Sequence, residues 1–532
     1  MGIVVNKIAI YLNRHLTGNV FDKEQILDAY STDRSLLKIK PRLVAIPENT
    51  ADIRKIVRFV SQLAEKKYNL PIAVRGSGLS KTGSDLSSGI VISTEKLNHV
   101  KELDPHDRLA HVQAGITIGK LNAVLAPHGL TLPVAADPNE TVGSLIANAP
   151  RDDYSKLYGG ISNYVNRIEV VLSNGELIQT APLSLSKLAD RKRERSFEGE
   201  IYTKLDELLA KNEGVLEGLS SSERFGYPAL KHVRSGNGRS FDLSPIFFGS
   251  EGNLGIITEA ILRLEVLPPR PHRMLVSFPS IETAREFMSF AKKLQPLSIN
   301  LYDARIFEQA EDSGKRPDIL PKKLDKGYIV IVSFNDKLRK IRRKIKKCQS
   351  FLPKTTRTVA ETLKNTTDFD VIKNSLILYL NDSTKGEHPN VLHDFYVPGN
   401  RLAEFTEQLQ NLEKEHKKSF ELYGCYTTGI YSLRPEFDLS KIEERRTAIM
   451  LMRDFNELLK EYDGAFAGGL PEGKLKSLIL YPELEASEKK LFKDVKKIFD
   501  NSKVFAPETK TDYDTKSTVR HLRAEPNQNI ES

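Results

Sequence analysis

Cysteine is nearly absent from the 532-residue sequence, which contains only Cys348 and Cys425. Two thiols this far apart exclude an iron–sulfur or zinc site built from thiolates, and they provide no disulfide framework. We therefore expect a reducing, cytoplasmic environment. No apolar run approaches the roughly 18 residues that a membrane-spanning helix needs. Residues 1–11 contain only a short apolar run and lack the cleavage-site pattern of a signal peptide.

The net charge of +9 is spread along the chain. Because there is no Arg-rich arm and no basic motif interleaved with aromatics, we expect no nucleic-acid partner. The densest basic run, residues 337–347, places Leu338, Ile341 and Ile345 at helical spacing and predicts an amphipathic helix. Its basic face is either simply solvated or in contact with an anionic membrane or acidic partner. The second alternative would place the protein peripherally on the inner face of the membrane.

The length suits two domains or three, and 39% hydrophobic with 28% charged residues is typical of a soluble globular protein. Short β-branched runs alternate with helical stretches from residue 41 to about 268, which predicts an α+β or α/β domain. We predict an N-terminal helical segment at 1–40, a domain at 41–268 with a polar insertion at about 183–243, a second domain at 269–510 and a disordered tail at 511–532.

The second domain opens on a strand pattern at residues 274–278, followed by a helical pattern at 281–294. The same pairing recurs as a strand at 328–334 and the basic helix. Two such alternations predict a split βαβ, ferredoxin-like sheet.

A glycine-rich loop follows the predicted strand at 72–74 and contains Gly76, Gly78 and Gly83. Glycines allow backbone N–H groups to crowd around a diphosphate, and Ser77, Ser80 and Thr82 would add donors. The loop is not a Rossmann fingerprint, because Lys81 replaces the third glycine and no helix pattern follows. Taken alone, it predicts either a phosphate cradle or a surface turn.

Further motifs precede and follow this loop in a fixed order. Together they resemble the FAD-linked oxidases of the vanillyl-alcohol oxidase / p-cresol methylhydroxylase superfamily, and within it the D-lactate dehydrogenase / glycolate oxidase class. The resemblance implies an α+β fold, with a two-lobed FAD-binding domain of p-cresol methylhydroxylase type followed by a ferredoxin-like cap domain. The motifs occupy residues 30–33, 41–47, 112–119, 125–133, 136–138, 141–144, 157–160, 163–175 and 249–259.

The resemblance also implies which residues bind FAD. The glycine-rich loop would wrap the diphosphate through backbone donors, a second segment would line the rest of the cofactor, and two isoleucines would present their backbone to its adenine or ribitol side. Leu79 occupies the position where a flavin-linked histidine can sit in this superfamily, so we predict non-covalent FAD. The predicted residues are Arg75, Gly76, Ser77, Gly78, Leu79, Ser80, Lys81, Thr82, Gly83, Ala136, Asp137, Pro138, Thr141, Gly143, Ser144, Asn148, Ile256 and Ile257.

The cap domain keeps the frame of the family but not its chemistry. Cys425 and Ser432 stand where relatives carry two histidines, and Ile430 stands where they carry an asparagine. Gly469 and Leu470 replace a glutamate and a histidine further along. The resemblance assigns these missing groups to a divalent metal and to proton removal, so we predict no metal site and assign no catalytic residue.

Other side chains near these positions could replace the missing base. Tyr423, Tyr426 and Tyr431 lie close in sequence to Arg434, which could lower the pKa of a tyrosine and make it a base. The alternative is that these aromatics pack in the core beside a strand.

Glu472 is expected to be an exposed loop carboxylate. An arginine for a substrate carboxylate is missing near 369–375, where only Lys373 is available.

Three functions are compatible with this pattern. The first is an FAD-dependent oxidoreductase that transfers hydride from an alcohol-type small-molecule substrate to FAD and then to an unknown electron acceptor. The second is a flavin-binding protein without turnover. The third is a D-lactate or glycolate dehydrogenase with an atypical active site.

Non-covalent FAD predicts that acid precipitation releases all of the flavin. The yellow colour should appear in the supernatant, because Leu79 offers no nucleophile for a covalent bond to the isoalloxazine. Flavin absorbance retained in the washed pellet would contradict the prediction.

Overall fold

The computed structural model describes residues 2–219, 225–235, 238–307, 327–352, 388–506, 508–511 and 513–524. Helices surround three main sheets, which confirms the predicted α+β class. The α-helices are Gly2–His15, Glu24–Ala29, Thr50–Glu65, Ile118–Leu125, Val142–Asn148, Ser155–Tyr158, Leu185–Arg193, Phe197–Lys211, Glu213–Gly218, Ser244–Phe247, Ile281–Lys292, Leu338–Phe351, Leu402–His416, Ile442–Glu461, Gly473–Glu483, Ala486–Phe499 and Thr515–Arg520. Short 3-10 helices span Ala126–His128, Ile161–Asn163 and Leu230–His232.

The first sheet carries the glycine-rich loop at the end of its edge strand. Its β-branched strands are buried by the helix Thr50–Glu65, whose apolar stripe (Ile53, Ile56, Val57 and Val60) packs into the same core. Asn49 caps that helix by accepting a hydrogen bond from the Asp52 N–H. In spatial order the strands are Asn19–Phe21, Leu43–Ile46, Ile90–Ser93 and Ile72–Arg75, the last three parallel.

The second sheet forms the other lobe of the FAD-binding domain and is antiparallel. Its central strand, Ile256–Arg263, is irregular between Ile257 and Glu259, where the register shifts. In spatial order its strands are Val100–Asp104, Leu109–Gln113, Ile256–Arg263, Val165–Val171 and Leu177–Gln179. Two small sheets complete this domain: one contains Leu183–Ser184, Ser240–Phe241 and Arg234–Ser235, and the other contains Glu265–Val266 and Leu130–Thr131.

The cap domain is built on a six-stranded antiparallel sheet. The strands His272–Phe278 and Ser298–Asp303, which the helix Ile281–Lys292 connects, lie on either side of Tyr328–Phe334. This arrangement is the one expected of the predicted split βαβ unit. A hairpin formed by Leu422–Cys425 and Ile430–Leu433 extends the sheet toward the FAD-binding domain. In spatial order the strands are His272–Phe278, Tyr328–Phe334, Ser298–Asp303, Leu422–Cys425, Ile430–Leu433 and Phe395–Tyr396.

The basic run forms the predicted amphipathic helix, Leu338–Phe351. Ile341, Ile345 and Cys348 are buried, whereas Leu338 lies outside the apolar stripe and is exposed. Among the residues that the structure describes, no helix combines the length and apolar character that crossing a membrane requires.

Three predicted segments differ in character from the structure. The N-terminal segment is not only helical, because its strand Asn19–Phe21 joins the first sheet. The insertion at 183–243 is not a purely polar lobe, because Ile201 and Leu205 of the helix Phe197–Lys211 are fully buried in the main core. The tail is ordered as far as residue 524, with a helix at Thr515–Arg520.

The last part of the chain returns from the cap to the first sheet. Ile72 donates to the Val504 carbonyl and accepts from the Ala506 N–H, both at 2.7 Å, and Phe505 is fully buried beside it. The end of the predicted second domain, 269–510, therefore packs against the first sheet of the FAD-binding domain.

Candidate active site

The glycine-rich loop presents a run of backbone donors without acceptors. Among the described residues, none of the N–H groups from Gly76 to Lys81 donates to a protein acceptor. Gly78 has φ +71°, a conformation that side chains with a Cβ rarely adopt, and it turns the loop over. The loop is exposed to half-buried, and a run of neighbouring N–H groups without protein acceptors can bind an anion.

Arg75 supports the loop from beneath. Its guanidinium lies against the backbone of Gly78, donates to the Thr32 carbonyl at 2.8 Å and lies 3.9 Å from Asp85. It also lies over the ring of Tyr30. The side chain therefore holds the loop in place and leaves the backbone donors to face outward.

The loop lines a narrow slot of about 60 Å³ between the two lobes of the FAD-binding domain. Ten of the predicted FAD residues share this lining: Gly76, Gly78, Leu79, Ser80, Thr141, Gly143, Ser144, Asn148, Ile256 and Ile257. The prediction omitted other lining residues, although the motif at 249–259 contains three of them, namely Glu251, Gly252 and Gly255. The slot fits a diphosphate, because small residues and free N–H groups allow close backbone approach.

The remaining predicted residues have other positions. Lys81, Thr82, Ala136 and Asp137 line a neighbouring cavity on the cap side. The residues that line neither space are Arg75, Ser77, Pro138 and Gly83. The Ser77 hydroxyl donates to the Asn139 carbonyl and the Pro138 carbonyl accepts from the Gly119 N–H, so these contacts hold the two segments in place.

The cap-side cavity adjoins the slot and has a volume of about 370 Å³. Leu79, Ser80, Ser144, Asn148 and Glu251 line both spaces, so they form one continuous cleft. The cap hairpin closes the opposite wall of this cavity. A ligand in this cavity would lie beside anything bound in the slot.

Two cations from the FAD-binding domain face the cavity. Lys81 forms an ion pair with Asp394 of the cap at 3.0 Å. Burial opposes ionisation of Asp394, but Lys81 and His393 outweigh it and hold its pKa at about 2. Arg34 is different, because in the described part of the chain no hydrogen bond or ion pair engages its guanidinium. Burial lowers the pKa of Arg34, opposed by nearby carboxylates.

Two carboxyl groups in the cavity titrate near neutrality. Burial, reinforced by Asp137, raises the pKa of Glu140 to about 7, and burial raises the pKa of Asp152 to about 6. Asp152 accepts a hydrogen bond from the Tyr154 N–H, whereas the Glu140 carboxyl makes no hydrogen bond to a described residue. Sequence reasoning missed Glu140, because only the fold buries this residue beside the cavity.

The predicted aromatic cluster is divided by strand alternation. Tyr423 and Arg434 line the cavity, whereas Tyr431 is fully buried in the core on the other face of the sheet. Tyr426 points to a different groove. Arg434 forms an ion pair with buried Glu421 at 3.7 Å, so the cluster does not act as one unit.

The positions where relatives carry the missing histidines, asparagine and glutamate line the cavity. Cys425, Ile430, Ser432, Gly469 and Leu470 all contribute to it. Burial raises the pKa of the Cys425 thiol to about 12, which keeps it protonated. The structure shows no group of His, Cys, Asp or Glu suited to a metal ion within its described ranges. Lys373 lies outside those ranges.

Glu472 is fully buried, so the expectation of an exposed loop carboxylate is wrong. Lys510 bridges it to Glu251, with distances of 2.8 Å and 2.9 Å. Glu251 also accepts from the Thr82 hydroxyl and the Gly473 N–H. A buried ion network therefore ties the glycine-rich loop to the C-terminal segment beneath it.

Replacement of Gly78 by alanine should weaken FAD binding. The added Cβ would lie 2.4 Å from the Arg75 guanidinium, and the positive φ costs about 1 kcal/mol for a non-glycine residue. Flavin fluorescence titration of apoprotein measures the affinity. Gly129→Ala is the matched control, since Gly129 has φ +67° with no atom near its Cβ position. An equal loss in both variants would contradict a role for the loop geometry.

Comparison with known families accounts for most of the chain. Residues 41–181 match the family described as FAD binding domain, and residues 267–509 match the family described as FAD linked oxidases, C-terminal domain. The unmatched stretch between them, residues 182–266, contains the whole of the predicted insertion at 183–243.

Curated relatives and solved structures agree with these matches. The D-2-hydroxyglutarate dehydrogenase of Pantoea ananatis is 25% identical over 82% of this chain, and the glycolate oxidase subunit GlcD of Bacillus subtilis is 23% identical over 88% of both chains. The chain spans just under half of the former, 45% of its length.

Two solved structures share the fold. The 4-ethylphenol oxidase from Gulosibacter chungangensis has a TM-score of 0.67 at 15% identity, covering 95% of this chain and 97% of that one. A p-cresol methylhydroxylase has a TM-score of 0.63 at 14% identity, covering 94% and 96%. The predicted fold type is thereby confirmed. The chain therefore combines an FAD binding domain with a C-terminal domain of the FAD linked oxidases, and its cofactor is FAD.

Proposed function

We propose that this protein is an FAD-dependent oxidoreductase that oxidises the CH–OH group of an anionic, alcohol-type small molecule. The observation that carries the proposal is the continuous cleft, in which the slot for the cofactor opens directly onto a cavity containing Arg34 and Glu140. The same proposal assigns the FAD diphosphate to the free N–H groups of residues 76–81.

Each part of the cleft has a distinct task in this proposal. When bound, FAD supplies the acceptor for the hydride that leaves the substrate carbon. Glu140, as a carboxylate, takes the hydroxyl proton as the carbon–oxygen double bond forms. A pKa of about 7 suits this task, because the group is partly ionised at neutral pH and still basic enough to accept a proton.

Arg34 is the candidate anchor for the negative charge of the substrate. Its backbone is fixed on both sides, because its N–H donates to the Ser80 carbonyl and its carbonyl accepts from Asn390. Its guanidinium can bind a carboxylate with two parallel hydrogen bonds. The named substrates of curated relatives, D-2-hydroxyglutarate and D-lactate, are anionic hydroxy acids, which supports this substrate class.

Anaerobic mixing of the oxidised holoprotein with a panel of alcohols tests the function. 2-Hydroxy acids should bleach the flavin absorbance faster than neutral alcohols of the same size. Arg34→Met should raise KM for the acids and leave neutral alcohols unaffected, while Arg42→Met, a change at a half-buried site outside the cavity, serves as the control. Failure of every member of the panel to reduce the flavin would favour a flavin-binding protein without turnover.

The alternative of ordinary D-lactate or glycolate oxidation with a metal is decided in the same panel. The FAD-only proposal predicts that reduction survives extensive chelation. Dependence of the rate on added divalent metal, together with metal found in the purified protein, would favour the alternative.

Glu140→Gln should lower kcat by about 100-fold or more. In the unmodified protein kcat/KM should rise as pH increases through about 7, since only the ionised carboxyl accepts a proton. This limb should disappear in the variant. Asp152→Asn is the matched change on the same wall. Loss of the limb there, with Glu140→Gln unaffected, would assign the base to Asp152.

The basic helix of the cap domain bears on where the protein is located in the cell. The outward face of the helix Leu338–Phe351 carries exposed basic residues, which could contact an anionic membrane or an acidic partner. Co-sedimentation with vesicles containing anionic lipid tests this contact, and no binding at low ionic strength would leave the face as a solvated surface.

A further inference from the structure

A second cavity lies between the two domains, beside Pro150 and Arg151, which it shares with the cap-side cavity. We call it the basic groove, because its lining includes Arg151, Lys156, Lys231, His232 and Lys292 and not one carboxylate from the described residues. Its volume is about 970 Å³, which is large enough for a small metabolite.

The charge of the groove does not follow from the composition of the chain. With 70 acidic and 79 basic residues, a wall of this size would ordinarily hold both signs. The neighbouring cavity does so, because Asp394 and Glu140 balance Lys81 and Arg34. The groove is the exception, because no carboxylate among its described lining residues offsets Lys156, Lys231 and Lys292.

Three separate parts of the fold contribute the lysines. Lys156 belongs to the FAD-binding domain, Lys231 to the insertion and Lys292 to the end of the cap helix Ile281–Lys292. None of the three forms an ion pair with a described carboxylate. Burial and the charge of Lys156 lower the pKa of Lys292, whose ammonium lies 5.4 Å from the centre of the Tyr426 ring.

Like charges that converge across a domain boundary repel one another, and a bound anion removes this cost. Lysine ammonium groups are compact point charges that bind phosphate oxygens well. Ser162 and Asn163 in the same lining add polar groups that can hydrogen-bond such oxygens. The observations favour a small, multiply charged anion over a neutral ligand.

We propose that the basic groove binds the phosphate group of a phosphorylated small molecule. The phosphate belongs either to the substrate, whose alcohol end reaches the adjoining cavity past Arg151, or to a separate ligand. Both sources present the same chemistry to the lysines.

Binding of inorganic pyrophosphate to the oxidised, full-length holoprotein tests the site without turnover. Isothermal titration at low ionic strength should show one saturable site. The combined change Lys156→Gln, Lys231→Gln and Lys292→Gln should weaken it by roughly tenfold or more. The flavin absorbance should stay unchanged, because these residues lie outside the FAD slot.

The matched control combines Lys187→Gln, Lys211→Gln and Lys293→Gln, which removes the same charge from exposed positions outside the groove. Absence of saturable binding, or an equal loss in the control, would overturn the proposal. A substrate found in the alcohol panel separates the sources, since a substrate that carries the phosphate competes with pyrophosphate for the groove, whereas a substrate without a phosphate does not. If no alcohol reduces the flavin, the titration still decides the groove.

Discussion

The N–H groups from Gly76 to Lys81, which lack protein acceptors, are the constraint on which the site depends. The loop is exposed to half-buried, and contacts with its surroundings hold its shape. Arg75 supports it from beneath, and Asp33 accepts the Gly83 N–H at 2.9 Å. The Thr82 carbonyl accepts from the N–H groups of Lys474 and Leu475 at the start of the helix Gly473–Glu483. An anion in the slot would satisfy the donors that these contacts expose.

Buried charges extend this support into the rest of the molecule. The network of Glu251, Lys510 and Glu472 lies under the loop and is almost wholly excluded from solvent. Burial, opposed by Lys510 and reinforced by Glu251, raises the pKa of Glu472 to about 7. Leaving one member of such a network unpaired is costly, because a buried charge without a partner is strongly destabilising. The C-terminal return is therefore part of the FAD-binding domain in energetic terms as well as in space.

The cap keeps the framework of its family around altered chemistry. Cys425 and Ser432 project into the cavity from the hairpin as the family pattern predicts, yet neither is a base at neutral pH. The candidate base instead comes from the opposite wall, where Glu140 belongs to the FAD-binding domain. With the candidate base on this wall, the hairpin still closes the cavity and Arg34 remains the candidate anion anchor.

The sequence by itself determined the family, the cofactor and most of the elements, because these depend on local patterns. Glycine-rich motifs such as 72–83 and 249–259 indicate where the backbone must approach a ligand closely. The alternation of side chains along the cap strands indicates which face of the sheet is buried. Tertiary structure alone decided the state of single polar residues. Glu472 looks like a loop carboxylate in sequence but is buried by Lys510, which lies in a distant segment. Glu140, Arg34 and the lysines of the basic groove come from separate elements, and their charge environment exists only once the two domains meet.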